Sequence, residues 1–447
     1  MRSAVWAVLT GVALGCAYTA SPLTIVFAIV IVIVCRVATR GFAGRAHRWV
    51  TSALVAAVAA RVLAVAFVLV ATNPFREPFR ALFPDAQFTI ARSWWLRNLW
   101  MGVPIGPYYT DFTFRPYGES SFSYMLAAIQ TVFGLAPYGV DLLSIACFIA
   151  GSLLLFHVAQ RSYGSAAALA GLLLLLVWPT LFAWSISVLR ESTQLLLVAL
   201  TFVGTLAAVR ARRWSSRLLA IALAGATMYL LETLRAGVLV IVVSGIALGL
   251  LIRLATLRWW AAALALLAIV VAGPRLADRT DLRDLVSSEI QLAAFRHVGH
   301  TEMPGGTFKL LDDRFYHDGK ETPFTMTYDE GVRFLLRSAA ASVLFPLPWQ
   351  LQASVSGLAA LPQQCLWYLT IVCAIAGFAA ALRRDALLTL MLAGYVVVGL
   401  MVITPNNGNL GTLVRHRDMV VPALVWLAGA GLCGILAKTA PVPGSPW

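Results

Sequence analysis

Apolar runs separated by short polar turns occupy most of this chain. The runs lie roughly at 4–20, 22–35, 49–72, 140–160, 165–184, 188–209, 217–231, 236–252, 258–273, 363–382, 386–404 and 419–437. Most reach or approach the roughly 20 residues a helix needs to cross about 30 Å of hydrocarbon. None alternates as a barrel strand would, and backbone groups in lipid must be satisfied within the segment, so the spans are expected to be helices. Two further stretches, Phe122 to Phe133 and Phe334 to Gln350, are short or broken by Pro346 and Pro348. They read as interfacial or re-entrant helices. The pattern predicts an all-α polytopic membrane protein with about twelve transmembrane helices plus those outer-side helices.

Composition agrees and excludes other classes. Sixty per cent of residues are hydrophobic, 12% are charged and the mean hydropathy is +0.82, which no ordinary soluble domain shows. The net charge of +14 does not point to nucleic acid. It is almost all arginine, with lysine only at 309, 320 and 438. Much of it lies in clusters between spans: Arg36/Arg40/Arg45/Arg48, Arg210/Arg212/Arg213/Arg217, Arg253/Arg258 and Arg383/Arg384. With twelve spans all four clusters fall on one side together with both termini, and the positive-inside rule makes that side cytoplasmic. The cysteines are scattered through apolar runs without metal or disulfide spacing. Near the N-terminus two apolar runs meet at Ser21-Pro22, which favours a retained helical hairpin over a cleaved leader.

This topology divides the chain into a hairpin and basic loop (1–48), a transmembrane core (49–273) with a first outer loop (73–123), a long extracytoplasmic segment (274–362) and C-terminal helices (363–447). The outer side receives the chemistry. Asp85 follows Phe83-Pro84 and precedes a helical run, a place for a helix-capping carboxylate or for a general base toward a hydroxyl. Arg190-Glu191 joins two apolar helices, and Glu232 to Arg235 repeats the arrangement in what reads as a tight outer hairpin. Ionisable groups at such positions tend to face an internal cavity, although snorkelling and pairing explain them as well. Arg415, His416 and Arg417 follow a Gly/Asn-rich turn before the last span and oppose the positive-inside tendency. Arginine forks hold phosphate oxygens in pairs, which makes this the most phosphate-like stretch of the chain. Arg92, Arg115 and Glu119 are supporting candidates in the first loop. Histidines 297, 300 and 317 lack ligand spacing, and no metal site is expected. The sequence also lacks a Walker A, dinucleotide or nucleophile-elbow motif, which argues against an ATP-driven pump.

Between residues 49 and 250 the layout resembles the C-type glycosyltransferase (GT-C) superfamily, in particular members that use dolichyl- or undecaprenyl-phosphate sugars. The resemblance rests on Asp85 with Phe88 and Ala91, Arg115-Pro116-Tyr117-Gly118-Glu119-Ser120, Val132-Phe133-Gly134, Asp141-Leu142-Leu143-Ser144, Gln160 to Gly164, Trp178-Pro179 and Ser187 to Glu191. It implies a lipid-linked sugar donor, an inverting transfer with Asp85 as base, and arginines (Arg190, Arg235, Arg415 and Arg417 here) on the donor phosphate. It also implies a place in the bacterial cytoplasmic membrane with the active site outside. Position 86 is alanine where many relatives carry a second acid, and the 411–417 stretch is closer to exopolysaccharide and O-antigen assembly proteins. The acceptor (glycan, lipid or protein) stays open. A divalent cation, Mg²⁺ or Mn²⁺, bridging phosphate and carboxylate is compatible with this chemistry, but no ligand cluster demands one. Two rival readings use the same features: a polymerase or ligase acting on polyprenyl-pyrophosphate glycans through Arg415 and Arg417, and a transporter of a lipid-linked substrate.

Overall fold

The computed structural model describes residues 21–40, 44–72, 83–114, 120–134, 137–258, 280–302, 306–316, 321–347 and 355–439, with positions 6–8, 10–12, 15 and 263. The expected spans at 4–20 and 258–273 therefore lie largely outside the described residues, and Arg115, Glu119 and His317 wholly so. Among the described residues the fold is helical, with one isolated β-bridge between Thr307 and Asn409. The chain divides into two units, residues 1–239 and 240–447.

The first unit begins with α1 (Leu23–Thr39) and α2 (Gly44–Thr72). The expected first loop is itself helical: α3 (Pro84–Trp100), α4 (Pro107–Phe114) and α5 (Ser121–Phe133). Buried Arg92 ties α3 to α4, its Nε donating to the Thr113 carbonyl at 3.0 Å. Gln130 Nε2 donates to Ser93 Oγ at 2.9 Å and Arg97 Nε to the Gln130 carbonyl at 3.1 Å, fixing α5 against α3. The stretch read as interfacial or re-entrant at 122–133 is thus a short helix packed on its neighbour.

Next come α6 (Pro137–Tyr163), α7 (Ser165–Val177), α8 (Pro179–Ser185) and α9 (Glu191–Arg210). At Gly139 a Cβ would meet Ser21 Oγ at 2.9 Å, so the start of α6 lies level with the turn before α1. At Gly151 a Cβ would meet the Leu196 backbone at 3.0 Å, and there α6 and α9 approach most closely. The apolar run at 165–184 is not one straight span. Pro179 has no N–H and Trp178 is extended (φ −61, ψ 117), so the helix stops and resumes at an angle of 65°.

α10 (Trp214–Leu257) is a pair of helices joined across a kink at Arg235, and it carries the chain from the first unit into the second. The break expected at Glu232–Arg235 falls at that kink. Residues 214–234 and 236–257 are helical, and Arg235 alone departs (φ −166, ψ 93). Apolar sequence on both sides of Glu232, Thr233 and Arg235 suggests two spans and a turn, and the helix is interrupted there at one residue.

In the second unit, the long loop expected at 274–330 contains helices. That stretch holds α11 (Thr280–Thr301) and two single 3-10 turns, Asp313–Phe315 and Pro323–Thr325, followed by α12 (Tyr328–Leu344). Their apolar faces build a core of their own from Ala294, Phe308, Leu310, Leu311, Phe315, Met326, Phe334, Ala341 and Leu413. α12 opens on a full capping box between Thr327 and Glu330. It ends at Leu344, so the apolar stretch begins, from Phe334 to Leu344, as the second half of an amphipathic helix, while 348–350 lie outside the described residues.

α13 (Val355–Arg384), α14 (Ala386–Ile403), α15 (Leu410–Arg417) and α16 (Val421–Thr439) complete the chain. Gly377 and Gly431 let α13 and α16 cross backbone to backbone, since a Cβ on Gly377 would run into the Gly431 amide nitrogen and the Leu427 carbonyl. α15 and α16 are bent by 66°. Six described helices are long and apolar enough to cross a membrane, or up to eight if each bent pair is one span. The number lies below twelve because the two helices that meet at the Arg235 kink count here as one, α1 is a shorter apolar helix, and two expected spans fall largely outside the described residues.

Candidate active site

In the first unit two segments picked out by sequence meet. Phe83 occupies the N-cap of α3, Pro84 its first position and Asp85 its first turn. Proline suits that position because its missing N–H is unpaired there anyway, and a carboxylate in the first turn is favoured by the helix dipole. Asp85 is therefore not the cap residue, and its side chain is exposed. The ring of Phe83 lies 4.7 Å from the ring of Trp184 at the end of α8. This contact draws the start of α3 to the segment that leads into Arg190 and Glu191.

That segment is held from within the membrane by Arg61, a residue the sequence reading passed over. Arg61 is fully buried on α2. Its Nε donates to Ser185 Oγ at 2.7 Å, Nη2 to the Leu176 carbonyl at 3.0 Å and Nη1 to the Ala57 carbonyl at 3.2 Å. The rings of Phe148 and Phe182 flank the guanidinium at 4.5 and 4.7 Å. Leu176 lies in the last turn of α7, where the break at Trp178 leaves carbonyls without helical partners. One buried arginine thus satisfies the broken helix and locks Ser185 beside it. A lone arginine inside the apolar run at 49–72 was the available signal.

Arg190 is the N-cap of α9 and Glu191 its first residue, both half-buried. Just behind them, Ser192 Oγ and Gln194 Oε1 are buried with no hydrogen-bond partner among the described residues. Orphaned buried polar atoms cost about 1–3 kcal/mol each, but the two residues stand about 200° apart around α9 and do not share a face. Glu232 is exposed, and Arg235 is half-buried at the single non-helical position of α10. Arg92, a supporting candidate, is committed to the Thr113 carbonyl and stacks 5.1 Å from the Phe88 ring.

The second unit presents Arg417. It is 3% exposed, with Nη2 donating to the Ala341 carbonyl at 2.8 Å and the guanidinium 4.8 Å over the Trp367 ring. Its Nε and Nη1 have no hydrogen-bond partner among the described residues. Around it, Trp367 Nε1 donates to the Val343 carbonyl at 3.0 Å and Tyr368 OH to the Leu344 carbonyl at 2.6 Å. Side chains of α13 and α15 thus cap the C-terminal carbonyls of α12, a favourable place for a cation. Capping uses one nitrogen of Arg417 and leaves two without a hydrogen-bond partner among the described residues, which suits an anion. Arg415 is two residues away on α15, about 200° around a helix, so the two guanidinium groups do not share a face. His416 lies between them and its Nδ1 is 2.8 Å from Asn407 Oδ1.

Among the described residues no three His, Cys, Asp or Glu side chains gather as metal ligands. His297 is buried and uses both ring nitrogens within the protein.

Residues 121–277 match the family model described as dolichyl-phosphate-mannose-protein mannosyltransferase. That is a family of membrane glycosyltransferases of the GT-C type. The matched stretch holds α5 to α10 and includes Arg190, Glu191, Glu232 and Arg235, while Asp85, Arg415 and Arg417 lie outside it. No curated protein and no solved structure matches the chain. The apolar helices describe a multi-pass membrane protein, of which residues 121–277 are similar to that family.

Proposed function

We propose that this protein transfers a sugar from a polyprenyl-phosphate donor to an acceptor on the extracytoplasmic face of a bacterial cytoplasmic membrane. The observation that carries the reading is the Phe83–Trp184 contact, which brings the helix start bearing Asp85 to the Arg190–Glu191 segment inside the stretch matching a lipid-linked mannosyltransferase family. In this reading the acceptor hydroxyl oxygen attacks the anomeric carbon and the bond from that carbon to the phosphate oxygen breaks with inversion. Asp85 takes the hydroxyl proton and polyprenyl phosphate leaves. Arg190 and Arg235 supply charge for the leaving phosphate, and Arg415 and Arg417 of the second unit are a separate candidate for binding a phosphate group.

A panel of polyprenyl-phosphate sugars incubated with the protein in nanodiscs tests this. Release of polyprenyl phosphate that disappears in Asp85→Asn is the expected result. Undiminished turnover in Asp85→Ala would turn attention to the second reading, a polymerase or ligase for polyprenyl-pyrophosphate glycans. The two unbonded nitrogens of buried Arg417, in the unit with the large folded segment 280–347, favour that alternative. Substrate movement across the bilayer without bond cleavage would indicate a transporter.

A further inference from the structure

The turn that carries Arg415, His416 and Arg417 is reached by a line of hydrogen bonds starting far away in sequence. Tyr316 OH accepts from the backbone N–H groups of Leu310 (2.9 Å) and Leu311 (3.0 Å). Both its lone pairs are then occupied, so its proton goes to His297 Nε2 at 2.8 Å. That nitrogen must be bare, which puts the imidazole proton on Nδ1, where it is donated to the Asn407 carbonyl at 2.6 Å. Asn407 Nδ2 donates to the Ile403 carbonyl at 2.6 Å, which fixes the amide and leaves Oδ1 toward His416 Nδ1 at 2.8 Å. Every proton along the line is assigned by its neighbours, and His297 and Asn407 are both fully buried.

The surroundings permit little adjustment. His297 is packed edge-on against Phe308, Tyr316 and Phe334 at 5.4, 5.9 and 5.8 Å. Gly408 has no room for a Cβ, which would strike the His297 carbonyl. Phe308 N–H donates to the Gly408 carbonyl at 3.0 Å and Leu410 N–H to the Gly306 carbonyl at 2.7 Å, so a short bridge clamps the same turn from its other side. Downstream, Asn409 Oδ1 caps α15 through Gly411 N–H at 2.8 Å. The geometry of α15 therefore follows from Asn407 and Asn409, and the position of Asn407 follows from His297.

We infer that His297 is a positioning residue that, through Asn407 and His416, sets the orientation in which Arg417 offers its unbonded N–H groups to an anion. The inference rests on the reading of Arg417 as a phosphate-binding group and goes beyond it by assigning the buried segment around α11 a part in that binding. His297 itself touches no ligand.

The test separates its two ring nitrogens. In His297→Asn the amide nitrogen takes the place of Nδ1 and keeps the bond to the Asn407 carbonyl, whereas His297→Gln places its amide near Nε2 and keeps only the partner at Tyr316. Binding of undecaprenyl phosphate in nanodiscs is measured for both, for Arg417→Gln and for the parent protein, beside the melting temperature. The expected result is that His297→Asn binds within about threefold of the parent while His297→Gln is weakened about tenfold or more, the two melting alike. Equal affinities in the two His297 variants, or equal weakening that follows the melting temperature, would reduce His297 to a packing residue while Arg417→Gln still lost binding. If Arg417→Gln binds like the parent, the phosphate reading of Arg417 fails, and the positioning role with it.

Discussion

The rings of Phe83 and Trp184 lie 4.7 Å apart and join the start of α3 to the end of α8. Asp85 is two residues beyond the first ring, and Arg190 is six beyond the second. Aromatic contacts of this kind hold segments together with about 0.5–1.5 kcal/mol beyond their buried area, enough to set a geometry without dominating stability.

Removing the Asp85 charge should separate activity from folding. Asp85→Asn alters an exposed side chain and should change stability by less than about 0.5 kcal/mol. Transfer should fall by a factor of about 10² to 10⁴ if the carboxylate is the base. Donor turnover and melting temperature, measured on one preparation, check both halves. Turnover within a fewfold of the parent would remove Asp85 from the chemistry.

Trp184→Ala should act on the same step at one remove. Asp85 remains, but the contact that draws α3 to the Arg190 segment is lost. A drop in turnover of about tenfold or more is expected, with donor affinity changed less, because misplacement of about 1 Å can cost 10²-fold. Trp184→Phe should restore most of it.

Arg61 should be a stability residue. Arg61→Met leaves Ser185 Oγ and the Leu176 carbonyl without their donor and removes two ring contacts, and about 3 kcal/mol of destabilisation is expected. Arg61→Lys keeps the charge but not the fork and should fall between. Thermal unfolding in detergent measures this, and a melting temperature unchanged in Arg61→Met would contradict it.

Arg417 should behave in the opposite way. Its burial leaves two nitrogens unsatisfied, so the desolvation penalty is only partly offset by the Ala341 carbonyl. Arg417→Met should leave the melting temperature level or raised while lowering affinity for polyprenyl phosphate at least tenfold. A large loss of stability with intact binding would make Arg417 a helix cap and nothing more.

The segment 280–347 should loosen in acid. Burial pushes His297 down to about 4, with the Asn407 bond opposing the shift and His300 adding to it. An unfolded chain takes up that proton near pH 6.5, so stability is full above that and declines as pH falls toward 4, by up to about 3 kcal/mol. The Thr327 N–H bond, with Arg314 alongside, holds Glu330 below the usual carboxylate range. Its contribution is present above about 4.5 and also fades on acidification. Hydrogen exchange across residues 280–344 between pH 7 and pH 4 should show this loss of protection, and in His297→Gln the decline from pH 6.5 should flatten.

The sequence by itself determined the class of this protein. Apolar runs of membrane length, arginine clusters between them and a helical period admit no fold other than a bundle of spanning helices, because lipid leaves the backbone no other way to bond. It also marked Asp85, Arg190 and Arg417 as charges in costly places. What it could not carry was which of those charges already have partners. Arg61 and Arg92 looked no different from Arg417 along the chain, yet Arg417 spends one nitrogen on a remote carbonyl and has two without a hydrogen-bond partner among the described residues. Nor did local pattern reveal that the segment at 274–330 contributes to a core of its own. Partnership of a buried polar group is a property of what tertiary packing sets beside it, and only the folded chain decides that.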